Sequence, residues 1–140
     1  MRTMGGRMSL HDARELATAD AVELVVVTCL ACQEACIQCA DACSSDCWSH
    51  TLTRGIRLSR DCAASCGELA RALGQCEDEK ELRVHVEECA SACATCGADC
   101  QNKARRHGCC RIAADACLSC EEACRALLRQ WQPTQPAQPV

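Results

Sequence analysis

Cysteines recur along this chain at steps of three and four residues, and this spacing limits what the chain can fold into. Of 140 residues, 18 are cysteine. One run contains Cys29, Cys32, Cys36, Cys39, Cys43 and Cys47, and another contains Cys89, Cys93, Cys96 and Cys100. Because an α-helix has 3.6 residues per turn, residues with this spacing lie on one face. The pattern therefore predicts helices with rows of thiols, which indicates binding of a soft metal ion.

The helical pattern continues through the rest of the chain. We predict four long helices, over residues 20–49, 53–74, 79–105 and 109–131. Ser9 and Asp12 fit a helix start, so residues 10–17 form either a short extra helix or an extension of the first. Gly74 and Gly108 mark breaks, and no stretch alternates with the period of a β-strand.

Short connections between these helices predict an all-α, up-down-up-down antiparallel four-helix bundle. The spacing Cys-x3-Cys-x2-Cys-x3-Cys occurs at 32–43 and again at 89–100, so the chain reads as two similar helical hairpins. The second and fourth helices add further thiols on their own stripes. These are Cys62, Cys66, Cys110, Cys117, Cys120 and Cys124, with Cys76 and Cys109 near helix ends.

Folding the helices back on one another predicts layers of facing thiols. One predicted layer contains Cys39, Cys62, Cys93 and Cys124, and the neighbouring one contains Cys36, Cys66, Cys89 and Leu127. Two further layers contain Cys43, Leu58, Cys96 and Cys120, and then Cys47, Gly55, Cys100 and Cys117. The same folding gathers apolar side chains that close one end: Val22, Val25, Leu69, Leu73, Leu82, Val86, Leu127 and Trp131. The other end collects cysteines and His107, so we expect it to be the mouth through which ions enter.

Composition agrees with a small metal-binding domain. There is no Phe or Tyr, so cysteine must fill part of the core volume that aromatic rings usually occupy. Residues 9–131 are expected to form the bundle, and residues 1–8 and 132–140 to be flexible tails. The net charge of −4 argues against nucleic acid.

The location expected from the sequence is the cytoplasm. No apolar segment is long enough to span a membrane, and the N-terminus lacks the features of a secretory signal peptide. Thiols are kept reduced in the cytoplasm, so dense cysteines there favour metal binding over disulfides.

Charge favours a monovalent metal ion. Buried thiols are expected to be protonated, since burial raises a cysteine pKa, and exchange of each proton for one Cu(I) leaves the core neutral. A tetrathiolate Zn²⁺ site would instead keep about two negative charges, which is costly when several sites are stacked in a dry core. The pattern therefore favours storage of many Cu(I) ions, with neighbouring thiols sharing ions.

Three other functions fit a cysteine-rich chain less well. An iron–sulfur electron-transfer protein would use a different loop spacing, typically with a following Pro. A zinc or cadmium thiolate buffer would saturate at about four to five ions. A redox sensor would need exposed cysteines of low pKa. The sequence shows no nucleophile–base pair and no phosphate-binding loop, so an enzyme is not expected.

The cysteine blocks, the segment 57–66 (Arg-Leu-Ser-Arg-Asp-Cys-Ala-Ala-Ser-Cys) and the stretch 107–124 resemble the bacterial copper storage proteins. The resemblance covers about residues 20–130. It implies a four-helix bundle that holds many Cu(I) ions and assembles as a homotetramer. Because exported members of the family carry a signal peptide and this sequence shows none, it also implies the cytosolic branch. It also implies a mouth histidine, here His107 with His50 as a second candidate, and a copper chaperone as a possible partner. The predicted copper ligands are His107 together with Cys29, Cys32, Cys36, Cys39, Cys43, Cys47, Cys62, Cys66, Cys76, Cys89, Cys93, Cys96, Cys100, Cys109, Cys110, Cys117, Cys120 and Cys124.

Overall fold

The computed structural model describes residues 9–45, 52–75 and 78–131, and these residues form four α-helices. The helices are α1 (Leu10–Ser44), α2 (Thr53–Gln75), α3 (Glu79–Lys103) and α4 (Gly108–Trp131). Within these ranges there is no strand. Helix α1 packs against α2 and α4, and α3 packs against the same two helices. The predicted antiparallel four-helix bundle is confirmed.

Helix α1 is longer than the other helices because it begins early. The Ser9 hydroxyl caps it by accepting a hydrogen bond from the Asp12 backbone N–H at 3.0 Å. Residues 10–17 are therefore an extension of α1 and not a separate helix. At about 1.5 Å per residue, α1 is about 50 Å long and its first turns extend past the bundle. Leu10 and Leu16 are exposed there.

Helices α1 and α3 end earlier than the sequence pattern predicts. Helix α1 ends at Ser44 instead of 49, and α3 ends at Lys103 instead of 105. The Ser45 backbone N–H bonds the Asp41 carbonyl as a C-terminal cap. The cysteine stripe continues to Cys47, so the stripe extends beyond the helix that carries most of it.

Small sulfur-bearing side chains fill most of the core. Four of the larger aliphatic side chains in the core, Val25, Leu69, Val86 and Leu127, are fully buried at one end of the bundle. This confirms the predicted apolar plug for these four side chains, whereas Val22, Leu73, Leu82 and Trp131 are only partly buried. The opposite end, where α1 and α3 finish and α2 and α4 begin, is the mouth.

Some apolar side chains remain outside the core. Helix α1 exposes Leu24, Val27, Leu30 and Ile37 by 45% to 57% each. The tails 1–8 and 132–140 and the residues between the described ranges lie outside the part of the chain that the structure describes. None of the described helices is long and apolar enough to cross a membrane.

Candidate metal centre

Sixteen cysteines lie in the described part of the chain, all as free thiols, and all but Cys109 are buried. Fourteen of these cysteines form four groups of four, two of them belonging to two groups, and within a group every Sγ lies within 4.8 Å of the others. The groups are Cys29/Cys89/Cys120/Cys124, Cys32/Cys66/Cys93/Cys120, Cys32/Cys36/Cys62/Cys117 and Cys39/Cys43/Cys109/Cys110. The geometry therefore offers several adjoining thiol sites along the bundle axis.

Three of these groups are joined through shared thiols. Cys120 joins the group of Cys29, which is nearest the plug, to the group of Cys66. Cys32 joins the group of Cys66 to the group of Cys36. We call this linked set the inner row. Its members are Cys29, Cys32, Cys36, Cys62, Cys66, Cys89, Cys93, Cys117, Cys120 and Cys124.

The fourth group lies at the mouth and shares no cysteine with the others. We call it the mouth cluster, and it consists of Cys39, Cys43, Cys109 and Cys110. The Sγ of Cys39 lies 3.6 Å from those of Cys109 and Cys110. Cys109 is only half-buried, so this group is the more accessible one.

Two further thiols connect the mouth cluster to the inner row. Cys100 interacts with Cys39 of the mouth cluster, and its sulfur is 4.0 Å from that of Cys96. Cys96 in turn interacts with Cys36 and Cys117 of the inner row. Thiols thus follow one another from the mouth to the apolar plug.

The sulfur spacing suits metal coordination with little rearrangement. Neighbouring sulfurs across the helices are 3.6–4.0 Å apart, for example 3.6 Å between Cys29 and Cys120. With metal–sulfur bonds of about 2.3 Å, three-coordinate sites need sulfurs about 4.0 Å apart and linear two-coordinate sites about 4.6 Å. The observed spacing is close to the first value, and small side-chain rotations reach the second.

Hydrogen bonds between thiols and burial together set their protonation. In the inner row, the hydrogen bond between Cys120 and Cys124 raises the pKa of Cys124 and lowers that of Cys120. In the mouth cluster, burial raises the pKa of Cys43 to about 12 and also raises the pKa of Cys110. The pKa of Cys39 is lowered to about 5, first by its hydrogen bond with Cys100. Hydrogen bonds thus favour the thiolate at some positions, Cys39 and Cys120 among them, and the protonated thiol at neighbours such as Cys124.

A charged pair and a leucine cover the mouth thiols from the side of α2 and α3. The Lys103 ammonium lies 2.8 Å from the Asp99 carboxylate, which is only 11% exposed and which Arg54 also approaches at 3.4 Å. Both Lys103 and Leu52 line a small cavity of about 10 Å³ beside the mouth cluster. That volume is at the lower limit for holding one water molecule.

Gly55 makes room for this charged pair. A Cβ at Gly55 would collide with Lys103 Nζ and would lie 2.7 Å from Asp99 Oδ2. The sequence pattern placed Gly55 in a layer of facing thiols. The structure instead places the Asp99 carboxylate over Gly55, where the missing side chain leaves space.

The predicted pairing of α2 with α3 is confirmed, but the layers across the bundle are wrong. Cys62 lies 3.7 Å from Cys93, and Cys66 lies 3.7 Å from Cys89, as predicted. Cys39, however, contacts the other cysteines of the mouth cluster and does not face Cys62. The Cys62 sulfur instead lies 3.9 Å from the sulfurs of Cys32 and Cys117.

The shift follows from the helix ends. Helices α1 and α3 end earlier than predicted, and α1 and α4 are shifted along the α2–α3 pair relative to the predicted layers. Cys124 consequently lies in the group nearest the plug, with Cys29 and Cys89. Leu127 falls beyond the thiols and belongs to the plug.

Some predicted ligands are not among the four-sulfur groups. Cys47, Cys76 and His50 lie outside the described residues. His107 is half-buried at the start of α4 and lines a concavity at the mouth, without joining a thiol group. It remains a predicted ligand.

Two residues of the site were missed by the sequence pattern. Ser59 is 2% exposed, and its hydroxyl lies 3.7 Å from the Cys96 sulfur. It occupies the inward position that the pattern assigned to Leu58. The signal was present, since Ser59 precedes Cys62 by three residues and so lies on the same stripe. Leu52 is 5% exposed at the mouth, but it precedes α2 and no helical spacing marks it.

Comparison with known proteins gives one consistent match. The profile of the copper storage protein family matches residues 18–129. A cytosolic copper storage protein from Streptomyces lividans, in a structure of copper loading with five coppers, is 39% identical with a TM-score of 0.79. That alignment covers 81% of this chain and 96% of the other. The same Streptomyces protein loaded with 10 copper equivalents is 40% identical with a TM-score of 0.78, over 79% of this chain and 86% of the other.

Two further relatives align over a similar span. The Cu(I)-bound copper storage protein BsCsp3 is 31% identical with a TM-score of 0.70, over 76% of this chain and 97% of that one. The uncharacterised cysteine-rich protein YhjQ of Bacillus subtilis is 31% identical over 105 residues, 75% of this chain and 94% of its own length.

Proposed function

We propose that this chain, which belongs to the copper storage protein family, stores Cu(I) by coordinating many ions to the cysteine thiolates inside its bundle. The observation that carries the proposal is the linkage of three four-sulfur groups through Cys32 and Cys120. A shared thiolate coordinates two neighbouring Cu(I) ions, so each added ion binds to sulfurs that already coordinate a Cu(I) ion. Capacity then follows the number of thiols and not the number of separate sites.

The charge balance supports Cu(I) over divalent ions in this core. The inner row consists of thiols that are at most 1% exposed, and among the described residues Ser59 is the only polar or charged one that is buried. A Zn²⁺ ion at each of three adjoining tetrathiolate groups would leave about two negative charges per group in a dry environment. Cu(I) at about one ion per thiolate leaves none, and soft sulfur ligands favour it.

Burial also separates storage from redox sensing. A sensor cysteine has to be accessible to its oxidant, whereas 15 of the 16 described cysteines are buried. In the described part of the chain the thiols face one another inside the bundle, where they hold cargo and reach no substrate. We therefore assign storage and protection from free copper, and no catalytic activity.

We extend the proposal to location and assembly. The Streptomyces relative is a cytosolic protein, and we place this chain in the cytoplasm as well. The exposed apolar side chains Leu24, Val27, Leu30 and Ile37 on α1 support association into a homo-oligomer, for which we propose a tetramer. A copper chaperone is the proposed protein partner.

Anaerobic titration with Cu(I) against a chromogenic chelator tests the function. We expect more than ten Cu(I) ions per chain, since ten cysteines lie in the inner row and six more described cysteines lie beside it. Zn²⁺ under the same conditions should saturate at about four. Uptake of only one or two Cu(I) ions by the fully reduced protein would contradict storage.

A further inference from the structure

The mouth of the bundle opens into a concavity with a basic lining. This concavity has a volume of about 1120 Å³ and lies beside the connection between α3 and α4. It is lined by Leu52, Gln101, Asn102, Lys103, Arg105, Arg106 and His107. Leu52 and Lys103 also line the small cavity next to the mouth cluster. These two side chains form a common wall between the concavity and the first thiols.

The concavity carries an excess of positive charge although the whole chain has a net charge of −4. Asp99 forms ion pairs with both Lys103 and Arg54, so its one negative charge offsets only one of these two positive charges. Arg105 and Arg106 are exposed and form no ion pair with the part of the chain that the structure describes. The sequence between α1 and α2 adds one acidic residue, Asp46.

Helix stability does not explain all of these basic residues. Lys103 lies in the last turn of α3, where a cation is favourable. Arg54 and Arg111, however, lie in the first turns of α2 and α4, where cations are unfavourable and where no acidic residue occurs. At the opposite end of the bundle, α1 and α3 begin with acidic residues in the usual way. The mouth therefore concentrates positive charge at a cost to two helices.

This charge determines which form of copper approaches. A basic concavity repels a free copper cation and attracts anions, raising their local concentration and their rate of association. We propose, on the basis of the storage function above, that the mouth receives Cu(I) as an anionic complex with a small carboxylate-bearing thiol. Arg105 and Arg106 hold the carboxylates, since guanidinium groups bind carboxylate with two parallel hydrogen bonds.

The transfer is a ligand exchange without oxidation or reduction. A Cu–S bond to the carrier thiolate breaks, and a Cu–S bond to a mouth-cluster cysteine forms. Where that cysteine is protonated, its proton passes to the departing carrier thiolate. Copper remains Cu(I), and the carrier leaves as a thiol where it takes up that proton and as a thiolate where it does not.

Two thiol carriers of opposite charge provide the test. The full-length protein is mixed anaerobically with Cu(I) in excess mercaptosuccinate, an anionic thiol, or in excess cysteamine, a cationic thiol. The variant Arg105→Gln/Arg106→Gln removes two positive charges at the mouth. The control Lys80→Gln/Arg129→Gln removes two exposed positive charges near the plug end. Transfer is followed by the Cu(I)–thiolate absorbance in a stopped-flow instrument.

We expect the mouth variant to accept Cu(I) from mercaptosuccinate about tenfold more slowly at low ionic strength. Transfer from cysteamine should be unchanged or faster, and the difference should vanish at about 0.5 M salt, where screening is strong. The control should behave as the parent protein. Equal slowing with both carriers, or no change with either, would overturn the proposal.

Total uptake measured in the same samples separates the two claims. If the parent protein takes up only one or two Cu(I) ions, the storage function itself fails. If uptake is complete but both carriers deliver at rates insensitive to the mouth variant, storage stands and the anionic carrier is wrong.

Discussion

The inner row and the mouth cluster are both made of cysteine, but they differ in burial and in connection. Each inner-row cysteine is at most 1% exposed, and Cys32 and Cys120 join its groups. The mouth cluster shares no sulfur with those groups, and Cys109 within it is half-buried. The difference indicates a division of labour in which linked, buried thiols give capacity and a separate, accessible group exchanges metal with the outside.

The largest effect is expected from removing the thiols that join the inner row. The variant Cys32→Ala/Cys120→Ala takes a ligand from all three linked groups. We expect it to lose several Cu(I) ions per chain, because every bridged group loses a sulfur. The matched control Cys29→Ala/Cys124→Ala also removes two thiols, but both come from one group. Chelator-monitored titration of the two variants gives the comparison, and equal losses would show that the shared thiols are not bridges.

The next effect separates the two ends of the bundle. Leu127→Ala opens a cavity among fully buried side chains at the plug, so we expect the free energy of unfolding to fall by about 2–4 kcal/mol. Leu52→Ala lies at the mouth, where less apolar packing surrounds it. We expect a smaller loss of stability but faster removal of bound copper by excess chelator. Chemical denaturation and chelator kinetics measure the two quantities, and faster copper loss from Leu127→Ala than from Leu52→Ala would reverse the assignment of the ends.

The smallest effect is expected at Gly55. In Gly55→Ala, the new Cβ displaces the flexible end of Lys103 from Asp99. The lost ion pair and the gain in helix propensity each amount to about 1 kcal/mol or less and have opposite signs. We expect unfolding free energy within about 1 kcal/mol of the parent and unchanged copper capacity. A fall in capacity would mean that the charged pair positions the mouth thiols.

The sequence predicts the thiol faces better than their register. Cys62 and Cys66 face Cys93 and Cys89 as predicted because Gly74 and the acidic run after it mark where α2 ends and α3 begins. The end of α1 carries no Gly or Pro, and the stripe continues past it to Cys47. Only Ser44 and Ser45, residues that form helices poorly, indicate the stop.

The same lesson applies to α3 and α4. Residues 104–106 are Ala-Arg-Arg, all good helix formers, yet they form a turn in the structure. The early end of α3 moves α4 along the bundle, which brings Cys109 into the mouth cluster although it is one residue off the stripe. Local propensity does not determine this end, because the packing of four helices decides where the chain turns.

The charged pair at the mouth is a further feature that spacing does not reveal. Asp99 appears among outward-facing polar positions in the helical pattern, and its partner Lys103 follows it by four residues. Its low exposure depends on Gly55 of another helix, so it emerges only when α2 and α3 are packed together.

The most direct test of the account is anomalous diffraction at the copper edge from crystals of the fully loaded, reduced protein. The account predicts a continuous line of copper peaks along the bundle axis, from the mouth cluster at Cys39 to the group of Cys124 beside the plug, each within bonding distance of cysteine sulfur. Copper confined to one or two sites, or bound on the outer surface while the inner row stays empty, would contradict it.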